Sequence, residues 1–256
     1  MQLVKQFHGH SGCTVELYRN RDVYVVKKSG SAKLSASAEM LICLHTLGFQ
    51  TPEILDIERD SITMQYINGV DMKNYIAHAD IDQIDQLLEF INYYIEKFVD
   101  SPVQDISVAI KNKLNDIKLS CDLSTLLVDI ELLYNKLPKC VPVSKIIHGD
   151  FTLDNILYYQ DDFYLIDANP TDISSVYYDA VKLLQDLDCG WFIRQETNQT
   201  NYKVACSYIS RQLKKRWQFL NNHYILIFML MRILPYATDA QNQEFLIKEI
   251  NRLWQL

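Results

Sequence analysis

The sequence predicts an α+β protein with a small β-rich N-terminal lobe and a larger, mainly helical C-terminal lobe. Segments rich in Val, Tyr, Leu and Ile, of strand length, are concentrated before residue 67. From residue 68 onward, apolar residues recur mostly at helical spacing. The turn signal Asn68-Gly69 separates the two patterns. We therefore divide the chain into an N-lobe at 1–67 and a helical C-lobe at 68–256.

In the N-lobe, each element has a local signal. A β-hairpin is predicted for Thr14–Tyr18 and Asp22–Lys27, because both segments are rich in residues that favour strands. The apolar spacing in Ser35–Leu47 predicts a helix, which Gly48 would terminate. Two further strands are predicted at Ile54–Ile57 and Ser61–Tyr66.

The C-lobe has four segments with helical spacing of apolar residues: Ile84–Phe98, Leu123–Leu137, Val204–Leu220 and Gln241–Leu256. The stretch 146–170 is the strand-like interruption. In it, Ile156–Tyr159 and Phe163–Ile166 predict a hairpin, which would make Asn155 and Asp167 neighbours.

Composition excludes several classes of protein. The chain is 48% hydrophobic and 22% charged, so its core can be large enough without disulfides or structural metals. A net charge of -7 argues against a nucleic-acid partner. The longest apolar run, Tyr224–Met231, is far shorter than the ~20 residues of a membrane span. With no CxxC pair and no apolar signal-peptide core in Met1–His10, we expect a cytoplasmic protein with free thiols and no membrane partner. The oligomeric state stays open.

The predicted hairpin and the loop before it contain the candidate metal-binding and proton-accepting side chains. Asn155 and Asp167 offer an amide oxygen and a carboxylate, and Mg²⁺ prefers oxygen ligands. Asp150 precedes Asn155 by five residues and could accept a proton from a substrate hydroxyl. The alternative is that these residues only cap turns.

The segment His148–Asn155, HGDFTLDN, resembles the HGDxxxxN catalytic loop of the aminoglycoside phosphotransferase and choline kinase group. Leu165-Ile166-Asp167 is similar to the segment with the metal-binding Asp of protein kinases. The resemblance implies a bilobal protein-kinase-like fold, with Asp150 as catalytic base and with Asn155 and Asp167 holding Mg²⁺ on the ATP phosphates. It also implies that His148 and Asp179 support the catalytic loop. Asp179 is otherwise an acid in the first turn of a helix.

The N-lobe resembles the same family at the ATP site. GHSGCTVELY is similar to a shortened glycine loop, which implies phosphate contacts for Gly9, Ser11 and Gly12. Val25-Val26-Lys27 resembles the strand with the phosphate-binding lysine, and Lys27 is preferred over Lys28. Glu39 would pair with that lysine. The alternative is an ordinary flexible turn with a solvated lysine and a surface glutamate.

The segment ITMQYINGVDM resembles the hinge that holds adenine in this family. The backbone of Gln65 and Ile67 would bind the adenine edge, and Met64 would lie behind the base. A methionine there is otherwise an ordinary core residue.

The predicted function is an ATP- and Mg²⁺-dependent kinase that transfers the γ-phosphoryl group to a hydroxyl of a sugar-like or aminoglycoside-like acceptor. A choline, ethanolamine or amino-alcohol kinase remains open, as does a non-catalytic nucleotide-binding pseudokinase. Gly149 stands where protein kinases carry Arg, which argues against a protein substrate. Asp188 and Trp191 could line the acceptor site, or be an exposed acid and a packing residue. The basic group formed by Arg211, Lys214, Lys215 and Arg216 is predicted to be a solvated helix face.

Overall fold

A computed structural model of the chain describes residues 2–7, 13–20, 23–30, 33–196 and 199–256. Two units are distinguished by their internal packing. The first, which we call the N-terminal unit, comprises residues 1–75 and 146–171. The second, the helical unit, comprises residues 76–145 and 172–256. The stretch 146–171, which the sequence placed in the C-lobe, is thus grouped with the N-terminal unit.

The strands among the described residues are β1 (Gln2–Phe7), β2 (Thr14–Asn20), β3 (Val23–Ser29), β4 (Ile54–Ile57), β5 (Ser61–Gln65), β6 (Val70–Asp71), β7 (Val103–Asp105), β8 (Cys140–Pro142), β9 (Ile156–Tyr159) and β10 (Asp162–Leu165). The α-helices are α1 (Leu34–Thr46), α2 (Met72–His78), α3 (Ile81–Val99), α4 (Ser107–Ser120), α5 (Ile130–Lys136), α6 (Val176–Leu187), α7 (Thr200–Arg216), α8 (His223–Met231) and α9 (Ala240–Trp254). The fold class predicted from the sequence is confirmed.

The N-terminal unit contains a five-stranded antiparallel sheet in the order β1-β2-β3-β5-β4. The predicted hairpin is confirmed as β2 and β3, whereas β1 was not predicted. Helix α1 packs on the sheet through Leu34 and Ala38, which form one buried cluster with Ile62 and Met64. This burial explains why α1 forms although its N-cap makes no side-chain hydrogen bond.

A second sheet of the N-terminal unit has the order β10-β9-β6. The predicted hairpin of β9 and β10 is confirmed, with Tyr159 opposite Asp162. Its two-residue turn has positive φ at Gln160 (50°) and Asp161 (63°), as a hairpin turn of the mirror-image type requires. The hairpin is also tied to the segment after α1, because the Leu165 N–H donates to the Gln50 carbonyl at 2.9 Å. These bonds attach 146–171 to the N-terminal unit.

The helical unit is organised around α6, which packs against α3, α7 and α8. Every residue of α6 except Tyr177 is buried. The apolar run of α8 is likewise buried from Ile225 to Met231, as predicted for a core helix. No helix in the described part of the chain is both long and apolar enough to span a membrane.

One helix of the helical unit begins later than the sequence predicted, and one pair of strands was not predicted. The helix predicted at Leu123–Leu137 begins only at Ile130, because the Asp129 side chain accepts hydrogen bonds from the backbone of Glu131 and Leu132 and caps the helix there. The preceding segment is instead held by Asn251, which bonds the Leu127 N–H at 2.8 Å and the Thr125 carbonyl at 3.0 Å. The antiparallel pair β7–β8 was also missed, since both strands have only three residues.

We predict that Tyr94→Phe destabilises the helical unit. Tyr94 and Asp179 are both buried, and the Tyr94 hydroxyl donates to Asp179 Oδ2 at 2.5 Å. Removing the hydroxyl takes a donor from a buried carboxylate, at a cost of about 1–3 kcal/mol. Urea unfolding measures the effect. Tyr93→Phe is the matched control, because Tyr93 is 38% exposed on the same helix. Equal effects of the two substitutions would contradict the prediction.

Candidate active site

His148 links the two functional segments of the N-terminal unit. Its side chain is fully buried. Its Nε2 lies 2.7 Å from the Ile166 carbonyl oxygen, and its Nδ1 accepts a hydrogen bond from the Asp150 N–H at 3.3 Å. Because one ring nitrogen faces an acceptor and the other a donor, these partners require the tautomer with hydrogen on Nε2. The ring therefore holds the loop at Asp150 to the strand that leads into Asp167.

Asp150 is oriented by Asn155. The Asn155 Nδ2 donates to the Asp150 backbone carbonyl at 2.8 Å and to its Oδ2 at 3.0 Å. Both amide hydrogens are thereby used inside the loop, while Asn155 Oδ1 has no partner among the described residues and keeps its capacity as an acceptor. The two side chains predicted as base and metal ligand are thus brought together.

Asp167 lies next to this pair because of the hairpin register. Ile156 is opposite Leu165, and the Ile166 N–H donates to the Asn155 carbonyl at 3.0 Å. Asp167 follows with a φ of 57°, a conformation that non-glycine residues seldom adopt. Such backbone strain is often found at functional sites. Its half-exposed carboxylate forms an ion pair with the Lys28 ammonium.

The lysine contacts differ from the sequence prediction. Neighbouring strand residues point to opposite faces of a sheet, and Lys28 rather than Lys27 is the residue that reaches Asp167. Lys27 instead contacts Glu58 at 3.2 Å, not Glu39, which is exposed on α1. Hydrogen bonds from Ser61 and from Lys27 lower the pKa of the Glu58 carboxyl. Lys27 and Lys28 therefore have other partners in this structure than the sequence suggested, and which of the two lysines binds the phosphates stays a prediction.

The donor atoms of this site fit Mg²⁺. Asn155 offers an amide oxygen and Asp167 a carboxylate, and Mg²⁺ is commonly held by one or two protein oxygens together with water and phosphate oxygens. The Lys28 contact shows that the Asp167 carboxylate faces a cation. Among the residues that the structure describes, no cluster of three or more His, Cys, Asp or Glu side chains could hold a metal ion.

Gly149 is required by close backbone packing. Its φ is 75°, and a Cβ at this position would lie 1.9 Å from the Asn169 carbonyl oxygen. The Asn169 N–H in turn donates to the His148 carbonyl at 2.8 Å. The main chain after Asp167 is therefore pressed against the loop before Asp150, and no side chain fits between them.

The other predicted nucleotide-binding residues of the N-terminal unit are the hinge residues, which the structure describes, and the glycine-loop residues, which it does not. Met64 and Ile67 are buried, and Ile67 follows β5 with no hydrogen-bond partner for its N–H in the described part of the chain. The Gln65 N–H is already bonded to the Glu53 carbonyl at 2.8 Å. Gly9, Ser11 and Gly12 lie outside the described residues. The role of each group in binding ATP stays a prediction.

Three predicted residues lie in the helical unit. Asp179 lies in the first turn of α6, where it is buried and accepts a hydrogen bond from Tyr94. Asp188 accepts a hydrogen bond from the Ser210 hydroxyl at 2.5 Å and pairs with Lys214. The Trp191 ring is covered by the Arg194 guanidinium, 3.7 Å from its centroid. The supporting role of Asp179 and the acceptor roles of Asp188 and Trp191 stay predictions.

We predict that Gly149→Ala is more destabilising than Gly190→Ala. Both glycines have a left-handed φ, at 75° and 72°, but a Cβ at 190 would meet only Ile193 at an ordinary 3.6 Å. Gly190→Ala should therefore cost only the backbone term, about 1–2 kcal/mol. Gly149→Ala must also displace the Asn169 backbone, so the loss should be roughly twice as large or more. Thermal unfolding compares the two. Equal losses would show that Asn169 does not pack as closely as described.

Known proteins resemble this chain in structure rather than in sequence. No protein-family model matches it, and neither does any curated protein. A solved structure that does match is a thermostable mutant of aminoglycoside phosphotransferase APH(4)-Ia in ternary complex with ADP and hygromycin B. It has a TM-score of 0.69 and 11% identity, over 99% of this chain and 93% of that one.

Two further solved structures match over most of their length. An aminoglycoside-3'-phosphotransferase of type VIII has a TM-score of 0.58 and 16% identity, over 89% of this chain and 93% of its own. A fructosamine-3-kinase-like protein from Haemophilus somnus has a TM-score of 0.60 and 12% identity, over 97% of this chain and 90% of its own. The chain therefore has the kinase-like fold of the aminoglycoside phosphotransferases.

Proposed function

We propose that this protein is a small-molecule kinase that uses ATP and Mg²⁺ to phosphorylate a hydroxyl group. The observation that carries the proposal is the clustering of Asp150, Asn155, Asp167 and Lys28 in one unit, held by His148 and by the β9–β10 hairpin. Phosphoryl transfer requires a base, metal ligands and a cation for the phosphates. All three are available in this cluster. The shared fold supports the proposal, since matching structures are phosphotransferases, one of them with bound ADP.

In the proposed reaction, Asp150 acts on the acceptor hydroxyl. The bond from Asn155 Nδ2 to Asp150 Oδ2 fixes the orientation of the carboxylate, which reduces the entropy lost when substrate is positioned. The acceptor oxygen forms a bond to the γ-phosphorus while the bond from that phosphorus to the ADP oxygen breaks. The hydroxyl proton passes to the Asp150 carboxylate.

Lys28, Asn155 and Asp167 serve the nucleotide. Mg²⁺ would be held by Asn155 Oδ1 and the Asp167 carboxylate, where it would neutralise charge on the phosphate oxygens. The Lys28 ammonium, which contacts Asp167, would donate to the phosphates. In this proposal Lys28 takes the role that the sequence assigned to Lys27.

The adenine-binding residues are proposed from the predicted hinge, and the acceptor is proposed from the resemblance to known structures. No described residue accepts a hydrogen bond from the Ile67 N–H, which would bind the edge of an adenine, and Met64 would lie behind the base. The acceptor that we propose first is sugar-like or aminoglycoside-like, in keeping with the hygromycin B bound to one matching structure. A choline, ethanolamine or amino-alcohol acceptor remains the alternative. A non-catalytic nucleotide-binding protein is the alternative of another class.

We predict that Asp150→Asn abolishes phosphoryl transfer and leaves ATP binding within about twofold, because the amide cannot accept the proton while its size is unchanged. The reaction is followed by ³¹P NMR with ATP, Mg²⁺ and pooled sugars, aminoglycosides, choline and amino alcohols. Asp162→Asn is the matched control, since Asp162 is an exposed carboxylate at the start of β10 in the same hairpin. It should react at the wild-type rate.

The outcomes of this experiment separate the alternatives. A new phosphoester signal with wild type and Asp162→Asn alone would support the kinase, and dividing the pool would identify the acceptor class. ATP binding without transfer to any acceptor would favour the non-catalytic protein. Unchanged turnover in Asp150→Asn would refute the role of this residue.

We predict that Lys28→Met weakens nucleotide binding more than Lys27→Met. A charge-assisted hydrogen bond contributes about 1.5–3 kcal/mol, so Lys28→Met should raise the Kd for AMP-PNP by about 10- to 100-fold. Lys27→Met removes only an exposed ion pair with Glu58 and should change the Kd for AMP-PNP by less than about threefold. Calorimetric titration with AMP-PNP measures both. A larger loss with Lys27→Met would restore the sequence-based assignment.

A further inference from the structure

The helical unit contains a cavity of about 1010 Å³ that none of the proposed catalytic residues lines. Its lining includes the end of α6 from Asp186, one face of α7, part of α9 and, between α6 and α7, the residues Cys189, Gly190, Ile193 and Arg194. Its volume lies at the upper end of the range of small-molecule sites, about 300–1,000 Å³. The cavity is thus large enough for a molecule the size of a sugar or a sugar derivative.

Helix α7 makes the cavity wall basic. Lys203, Arg211 and Lys215 recur at intervals of four or eight residues, and therefore lie along one face of the helix. Lys248 of α9 lines the same cavity. Among the described residues, the side chains of these four cations form no ion pair and no hydrogen bond. Arg211 and Lys215 are exposed, as predicted for a solvated helix face, and both also line this cavity.

The acidic side chains of the cavity do not offset these cations. Six cationic and three acidic residues line it, in a chain whose net charge is -7. Asp188 is paired with Lys214, Glu249 with Arg252, and Asp186 is only 1% exposed. Burial raises the pKa of Cys189 and of Cys206 to about 12, so both thiols in the lining are neutral. The accessible charge in the cavity is therefore positive.

We infer that this cavity binds an anionic small molecule, one that carries a phosphate or a carboxylate group. Lysine and arginine side chains recognise both groups through charge-assisted hydrogen bonds. The opposite expectation, a polycation such as an aminoglycoside, would place like charges beside Lys203, Arg211, Lys215 and Lys248. The inference does not depend on the proposed phosphoryl transfer, because the proposed catalytic residues lie in the N-terminal unit. It does assign Asp188, which lines this cavity and is paired with Lys214, to the anion site rather than to a cationic acceptor.

The inference is tested by titrating the full-length protein and following backbone amides by ¹H–¹⁵N NMR. The probes are inorganic phosphate, glucose 6-phosphate and glucuronate, with glucose as the neutral and hygromycin B as the cationic reference. We expect at least one anion to shift the amides of Asp188, Cys189 and Gly190 saturably, and the references to leave them unchanged. The phosphate and carboxylate probes show which group is preferred.

The matched variants are Arg211→Gln/Lys215→Gln and Lys111→Gln/Lys118→Gln. Both remove two positive charges from helices of the same unit, but Lys111 and Lys118 of α4 do not line the cavity. We expect the first pair to raise the Kd of the bound anion about tenfold, and the second less than twofold. The inference is overturned if no anion shifts the three amides, if hygromycin B binds there more tightly, or if both pairs have the same effect. Nucleotide binding in the N-terminal unit is measured separately, so either proposal can fail alone.

Discussion

The arrangement of the candidate active site depends on the two hydrogen bonds of the buried His148 ring. One bond reaches the carbonyl before Asp167, and the other fixes the backbone at Asp150. The loop and the hairpin come from different parts of the stretch 146–171, and the His148 ring bonds to both of them. A fully buried imidazole is stable there because both nitrogens are paired. The His148 ring thus acts together with the Asn155 side chain and the β9–β10 register in placing Asp150 and Asp167.

Much of this site could be predicted from the sequence because its geometry is local. The apolar segments and the Gln160-Asp161 turn determine the register of β9 and β10, and that register makes Asn155 and Asp167 neighbours. The β2–β3 hairpin is equally local. Each of these features depends on contacts between residues that are close in the chain. Strand and turn propensities of the residues predict such contacts well.

The features that the sequence could not predict depend on long-range contacts. Because side chains alternate along a strand, Lys27 and Lys28 lie on opposite faces of the sheet. The sequence does not show which of these faces lies beside Asp167, because Asp167 is 139 residues after Lys28. The segment before α5 is held by Asn251, far along the chain, and the apolar spacing of Leu123–Val128 gives no sign of that bond. The cavity is similar, because the basic face of α7 lines it only together with residues of α6 and α9.

Gly149 connects packing with the choice of substrate in the proposed kinase. Protein kinases carry Arg at the corresponding place, where it can meet a phosphorylated activation loop. Here a side chain is excluded, because the Asn169 carbonyl lies where a Cβ would be. The same contact fixes the main chain directly after Asp167, so the segment that would have to move in such a switch is packed against the loop before Asp150. A site whose loop and metal-binding segment are packed together in this way needs no phosphorylation switch. In the proposed function, this suits a kinase of small molecules better than a protein kinase that is controlled by phosphorylation.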